Sequence, residues 1–338
     1  MPTLGQRLIA SAGITVEIED HDFTDPGPNQ ILVRVTRSQV SAGSEMNGIR
    51  AIQNQPDVRR PIGYTTVGYV EKLGPGVAGY REGDRVLCFG NHASHCLVSL
   101  TDTEVVDLVD TQPDHVPDGI TDEQAAFGVL GDVALHGVRR GTLQLDQSVA
   151  VFGAGTVGQL TIQFARLSGA YPIVAVDLVP SRLDKGRLSG ATHVVDASQG
   201  NPVEGVRAAT GGRGAEAVFH CSANPQILQT TMEAAADRGT VVLSGSAPGT
   251  AEIGLQVELL RRELTIVGNY ETGLLEPHPY WPWTRRRNRR ATFRLIASGQ
   301  IKVNHLLTHV VSPARAQEMY RMIAAGGSDW LTVTFAWD

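Results

Sequence analysis

The sequence predicts an α/β protein in which an antiparallel β-domain is interrupted by a doubly wound parallel sheet. Three observations carry that expectation. Up to about residue 120 the chain is a series of short alternating apolar and polar runs broken by Gly and Pro. From about residue 123 strands alternate with helical segments, the pattern of parallel strands joined by helical crossovers. One of those strands runs directly into GAGTVG at 153–158, a glycine-rich turn that opens an apolar helix.

Taken in order, GITVEIEDHDF, QILVRVTRSQV, TTVGYVEKLG, DRVLCFG and ASHCLVSL read as strands of the β-domain. TDEQAAFGVLGDVALHGVRR carries apolar residues at helical spacing behind Thr121, an expected N-cap. QSVAVFG, PIVAVD, HVVDA, AEAVFHCS, GTVVLSG and ELTIVGN are the expected strands of the parallel sheet. A Pro-containing loop around Pro277, Pro279 and Pro282 leads to a helix, TRRRNRRATFRLIASG, and the last strand is LTVTFAW. The expected domains are 1–122 for the first part of the β-domain, 123–270 for the parallel sheet and 271–338 for a return to the β-domain.

At 338 residues the chain is long enough for two cores. A net charge of −6 speaks against a general nucleic-acid binder, which needs clustered positive charge to neutralise phosphates. Three cysteines, Cys88, Cys96 and Cys221, lie in strand-like runs and are expected as reduced thiols. No run approaches the ~20 apolar residues of a membrane span, and no leader is recognisable, so a cytoplasmic protein acting on a small molecule is expected, with neither membrane nor nucleic acid as partner.

GAGTVG owes its meaning to its place between a strand and a helix. Gly153 permits the tight turn, Gly155 lets backbone approach a pyrophosphate, and Gly158 lets the helix pack closely on the strand. The helix start, with Thr156 and Val157, offers unpaired N–H groups to phosphates. Asp177, nineteen residues beyond Gly158, would accept hydrogen bonds from ribose hydroxyls and repel a 2′-phosphate, so NAD is expected over NADP. Leu178 and Arg182 follow it; Arg182 turned inward would weaken the preference. Ser222, Gly245, Ser246 and Asn269, after later parallel strands, complete the expected cofactor set.

VSAGSE, the run GYTTVGYVEKLGPGVAGYREGDRV, ASHCLVS, GAGTVG with Asp177, and ATFRLIASGQIKVNHLLTHVVSPARAQEMY together resemble the medium-chain dehydrogenase/reductase superfamily, which includes the zinc alcohol dehydrogenases. The resemblance spans essentially the whole chain. It implies a GroES-like β-domain, an inserted Rossmann domain, hydride transfer with a nicotinamide cofactor, and a homodimer, for which ELTIVGN is a candidate edge strand. Where zinc members carry their catalytic ligands, this chain has Ala42, Tyr64 and Gly128, and the four-cysteine loop for a structural zinc is missing. The SAGSE loop and the Gly-Tyr pair are similar to a subgroup containing the dehydrogenase of the bacteriochlorophyllide hydroxyethyl group, whose substrate is not carried over. The expectation is therefore zinc independence. Zinc lowers the pKa of bound water by ~9 units, about 12 kcal/mol, so other groups must manage the proton.

The candidates for that task have competing readings. Ser44 matches the relay hydroxyl of zinc members or is a turn serine. Tyr64 is a proton donor to a carbonyl oxygen, or fills vacated metal space. His92 is a general base lining a pocket or a surface-loop histidine. Glu45 belongs to the same loop and is expected to anchor Arg50 or the cofactor. Asp132 and His136, one helical turn apart, orient a proton relay or sit satisfied in a core. CFGNHASHC could form a relocated metal site, although alternation along a strand turns His95 away from His92 and Cys96. The arginine run after HPYWPW grips an acidic substrate or forms a solvated helix face, the latter being favoured.

The reading is an NAD(H)-dependent alcohol dehydrogenase or carbonyl reductase without catalytic zinc, acting on a hydroxylated small molecule such as a sugar, cyclitol or secondary metabolite. The alternatives are a quinone or enoyl reductase acting on a C=C bond, and an NAD-binding protein without turnover.

Overall fold

A computed structural model of the chain describes residues 2–100, 112–270 and 281–337. Pro277, Pro279 and the aromatic residues before Trp281 lie outside the described residues, as does the domain boundary expected at 271. The chain forms two compact units: Met1–Val129 with Thr272–Gly299 and Leu307–Asp338, and Leu130–Glu271 with Gln300–Leu306. The change of unit thus falls inside the helix Phe127–Arg140 rather than near residue 123, and Gln300–Leu306 returns to the second unit.

The first unit holds two sheets. Thr3–Ser11 and Thr15–Phe23 form an antiparallel hairpin extended by Arg60–Pro61. The larger sheet runs, in spatial order, Leu307–Val311, Thr332–Ala336, Gln30–Gln39, Thr66–Leu73, Arg85–Cys88 and Asp114–His115, with His95–Ser99 also paired to Gln30–Gln39. All pairs are antiparallel except the first. The strand Gln30–Gln39 is buried on both faces over much of its length, which explains its near-continuous run of ILVRV rather than strict alternation. Beside it, the helix Ala42–Ile52 buries Met46, Ile49 and Ile52 against Met319, Tyr320 and Ile323 of the helix Ala316–Ala325. One strand end and one helix start are thereby fixed with only Val40 and Ser41 between them.

The second unit is a six-stranded, wholly parallel sheet. Its spatial order is His193–Asp196, Ile173–Asp177, Val149–Phe152, Ala215–His220, Ala235–Leu243 and Thr265–Gly268, which is order 3-2-1-4-5-6. Val149–Phe152 is buried at every position, as a strand covered by helices on both faces requires. This is the expected α/β architecture, a GroES-like antiparallel domain with an inserted Rossmann sheet. Thr121 starts the connecting helix with a reciprocal cap: its hydroxyl accepts from Gln124 N, and Gln124 Oε1 accepts from Thr121 N at 2.9 Å.

Candidate active site

The order of strands reverses between Val149–Phe152 and Ala215–His220, and ligands of such sheets bind in the crevice at that switch point. Gly153 sits there with φ of 95°, a conformation other residues rarely adopt, and a Cβ on it would meet Ser222 N at 2.9 Å. A Cβ on Gly155 would meet nothing within 4 Å, so its backbone faces open space. Gly158 is different again, because its Cβ would lie 1.9 Å from Gly153 O. Turn, open approach and close packing are thus separate requirements met by three glycines. Gly158→Ala should push the start of the helix Thr156–Leu167 off the turn and weaken dinucleotide binding by at least ~10-fold, about 1.4 kcal/mol, measurable by fluorescence titration with NADH.

Asp177 ends its strand with one carboxylate oxygen on the turn and the other on its own following loop. Oδ2 accepts from Ala154 N at 2.7 Å and Oδ1 from Val179 N at 2.9 Å. Gln159 ties the same turn from behind, donating to Ala154 O at 2.9 Å and Arg182 O at 2.8 Å. Leu178 is exposed, and Thr156 and Val157 form the first turn of the helix, partly open to solvent. Gly245 packs directly on Ser222, where a Cβ would stand 2.1 Å from Ser222 O, and Ser246 beyond it is exposed. The expected cofactor residues are thus gathered at the strand ends, with Asn269 held there structurally: its amide donates to Val133 O and Ser244 Oγ. Open space at Gly155, the helix start and a carboxylate at the end of the second strand fit a dinucleotide.

In the first unit the loop after Gln30–Gln39 gathers a polar cluster. Ser41 is the N-cap of the Ala42–Ile52 helix, yet its hydroxyl does not cap it. That oxygen instead accepts the phenol hydrogen of Tyr64 at 2.5 Å. Glu45, in the first turn where a negative charge suits the helix dipole, accepts from Ser41 N at 2.7 Å. Its other oxygen receives Tyr320 O–H and lies 3.1 Å from His92 Nε2. His92 Nδ1 is 2.8 Å from Ser38 Oγ, which also accepts from Trp337 Nε1 at 2.8 Å. With the indole supplying one hydrogen, the Ser38 hydroxyl is free to donate to Nδ1, leaving His92 to donate from Nε2 to the carboxylate.

Burial raises the Tyr64 phenol above its ordinary range, and the Glu45 charge adds to the rise; the Ser41 and Ser44 hydroxyls and Arg285 act the other way. Tyr64 is therefore a protonated donor at neutral pH. Tyr320 is raised well above its usual range by burial and by Glu45, which keeps it a donor as well.

Of the residues singled out in the sequence, Tyr64, Ser44, Glu45 and His92 come together here. Ser44 is exposed while its hydroxyl reaches Tyr64. His92 is fully buried with both ring nitrogens engaged, so it belongs to the support of the loop rather than to a surface that a small molecule touches. Glu45 is an anchor, as favoured, but toward His92 and Tyr320 and not Arg50. Asp132 and His136 belong to the second unit and are both buried. Ser38, Ser41, Tyr320 and Trp337 were missed. Ser41 stood inside the quoted VSAGSE, whereas Tyr320 and Trp337 lie some 280 residues away with no local signal.

The CFGNHASHC stretch does not gather a cluster. His95 turns to Glu71 at 3.0 Å, and burial pushes the Cys96 thiol up to about 12. Among the described residues no three His, Cys, Asp or Glu side chains could hold a metal ion. The arginine helix also departs from the favoured solvated face. Arg285 and Arg289 are buried, both over the Phe89 ring, and Arg289 pairs with the buried Asp114.

Two family models match the chain. Residues 27–135 match the alcohol dehydrogenase GroES-like domain and residues 156–283 the zinc-binding dehydrogenase domain, more than half of the chain between them. The chain belongs to the alcohol-dehydrogenase-like, medium-chain superfamily. An alcohol dehydrogenase of Cupriavidus necator is 26% identical over 87% of this chain and 88% of its own. A D-guloside 3-dehydrogenase of Escherichia coli is 27% identical over 77% of this chain and 72% of its own. An Escherichia coli oxidoreductase of unknown specificity superposes with a TM-score of 0.84 at 18% identity, over 99% of both chains.

The superfamily's zinc can be tested against the residues that resemblance places at its ligand positions. Ala42 has no donor, and Tyr64 offers only a phenol that burial keeps protonated. Gly128 has no donor either, and its site is closed: a Cβ there would stand 2.7 Å from Leu87 Cδ2 and from the Phe293 ring. Zinc takes thiolate, imidazole or carboxylate. These three positions do not fit it.

Proposed function

We propose that the chain is a nicotinamide-dependent alcohol dehydrogenase or carbonyl reductase in which Tyr64, rather than a metal, handles the proton at the substrate oxygen. The observation that carries this is the Tyr64 hydroxyl held by Ser41 and Ser44 at the position where zinc members have an imidazole ligand. When bound, the cofactor supplies or accepts the hydride. The second unit would hold it through the Gly153–Gly158 turn, with Asp177 facing the adenosine ribose. Asp177 supports NAD over NADP, since a carboxylate repels a 2′-phosphate.

In the reducing direction Tyr64 donates its proton to the carbonyl oxygen as the carbinol forms. The phenolate left behind is stabilised by the Ser41 and Ser44 hydroxyls, and Ser44, open to solvent, returns a proton from water. Oxidation runs the same path backwards. Relatives named for alcohols and a guloside support a hydroxylated substrate, a sugar or cyclitol among them. A homodimer through the edge strand Thr265–Gly268, beside the exposed Leu255 and Leu260, is part of the same proposal.

The test is a panel of ketones, polyols and an enone with NADH or NADPH, with and without a zinc chelator. Turnover of a ketone with NADH that the chelator leaves intact is expected. Activity that the chelator abolishes and zinc restores would overturn the metal-free reading; reduction of the enone alone would favour a C=C reductase, and tight NADH binding without turnover a binding protein. Asp177→Ala should reduce the preference for NADH over NADPH by at least ~10-fold, about 1.4 kcal/mol, read as a ratio of kcat/KM.

A further inference from the structure

We propose that Ser41 and the buried Glu45 are the positioning residues of Tyr64, Ser41 by keeping its hydroxyl on the phenol oxygen, where it donates once the phenol proton has left, and Glu45 by fixing Ser41 and setting a negative charge beside the phenol. The inference rests on the reading of Tyr64 as proton donor and deepens it. A helix N-cap serine ordinarily uses its hydroxyl on the backbone of the first turn. Ser41 does not: its hydroxyl is on Tyr64, while Glu45 Oε1 accepts from the Ser41 backbone N–H at 2.7 Å and so fixes the residue that carries that hydroxyl.

Glu45 is itself over-determined. Its side chain is 4% exposed, and it is met by three donors from separate parts of the chain: Ser41 N, His92 Nε2 and Tyr320 O–H. Behind His92 stand Ser38 and Trp337, and Phe335 packs edge-on to the imidazole at 5.2 Å. A carboxylate with that many hydrogen-bond donors is held in one place. The chain bearing Tyr64 is strapped to the same group, because His92 N donates to Ile62 O at 2.8 Å and a Cβ on Gly63 would strike the His92 ring at 2.5 Å. Both ends of the Tyr64–Ser41 bond are thus referred to the one buried pair, Glu45 and His92. The charged groups acting on the phenol are Glu45 from the Ala42–Ile52 helix and Arg285 from the Arg285–Ala297 helix, with opposite signs.

Opposite signs make the test specific. The full-length protein is titrated at alkaline pH by tyrosinate absorbance, each variant differenced against the same variant carrying Tyr64→Phe, and the alkaline limb of carbonyl reduction is measured alongside. Ser41→Ala should move the Tyr64 titration to higher pH and lower kcat about 10- to 100-fold with KM for NADH unchanged. Ser41→Thr, which keeps the hydroxyl, should restore both. Glu45→Gln should move the titration to lower pH. Should Glu45→Gln fail to fold, the Ser41 pair decides the matter. Tyr64 titrating identically in Ser41→Ala and the parent, or both variants moving it the same way, overturns the proposal. Full activity in Tyr64→Phe instead overturns the reading beneath it, while the absorbance titration still reports whether Ser41 and Glu45 set the phenol.

Discussion

Tyr64→Phe should lower kcat for carbonyl reduction by about 10²–10⁴-fold, the range over which a positioned proton donor acts, and leave dinucleotide affinity unchanged. The substitution removes one oxygen and keeps the ring. It deletes the hydrogen bond to Ser41 but touches none of the bonds that fix Glu45 and His92, so the loop should keep its shape. The pH dependence gives a second measure. Burial holds the phenol protonated beyond its ordinary range, so reduction should keep its rate through neutral pH and decline only as Tyr64 ionises at alkaline pH. Oxidation, which needs the phenolate as base, should rise over that same interval. The residual activity of the Phe variant should lack this limb; a wild-type rate in Tyr64→Phe, with the limb intact, would show that another group moves the proton.

The second large effect concerns stability. Asp114→Asn should destabilise the protein by about 3–5 kcal/mol, because it leaves a buried guanidinium without its counter-charge. Asp114 is fully buried; Arg289, at 1% exposure, bonds one of its oxygens, and Arg290 Nε lies 3.3 Å from the other. Arg290→Gln is the control, since that side chain is 62% exposed and its pair should contribute under about 1 kcal/mol. Urea denaturation of the two variants separates the cases; equal midpoints would mean that water reaches Arg289 when Asp114 loses its charge.

The dinucleotide turn was legible because its demands are local. Gly153, Gly155, Gly158 and Asp177 answer to a backbone conformation, an open approach, a tight contact and a strand end, all within twenty-five residues. The parallel sheet was legible for the same reason, its strands being short runs buried on both faces. The polar cluster was readable only in part. Tyr64 and Ser44 stood out through resemblance, but His92 looked like a loop histidine open to a pocket. What stands behind it is Phe335 and Trp337, brought in by a strand that pairs Phe335 with Ser38 across nearly 300 residues, with Tyr320 on the helix Ala316–Ala325 closing on the shared Glu45. A pairing so distant leaves no trace in the pattern around residue 92. The arginine run misled in the opposite way, because a row of charges resembles a wet surface until a single buried aspartate, Asp114, gives it a partner.

The closed site at Gly128 bears on anyone who would graft the ligand set of the zinc members onto this chain. Writing a cysteine at 42 and a histidine at 64 changes side chains at a helix start and in a loop; writing a cysteine at 128 collides with Leu87 and Phe293, both in the core. Phe293 would first have to be hollowed to a smaller residue, at about 3–5 kcal/mol if cut to alanine. Ligand grafting on this scaffold is therefore a repacking problem before it is a coordination problem.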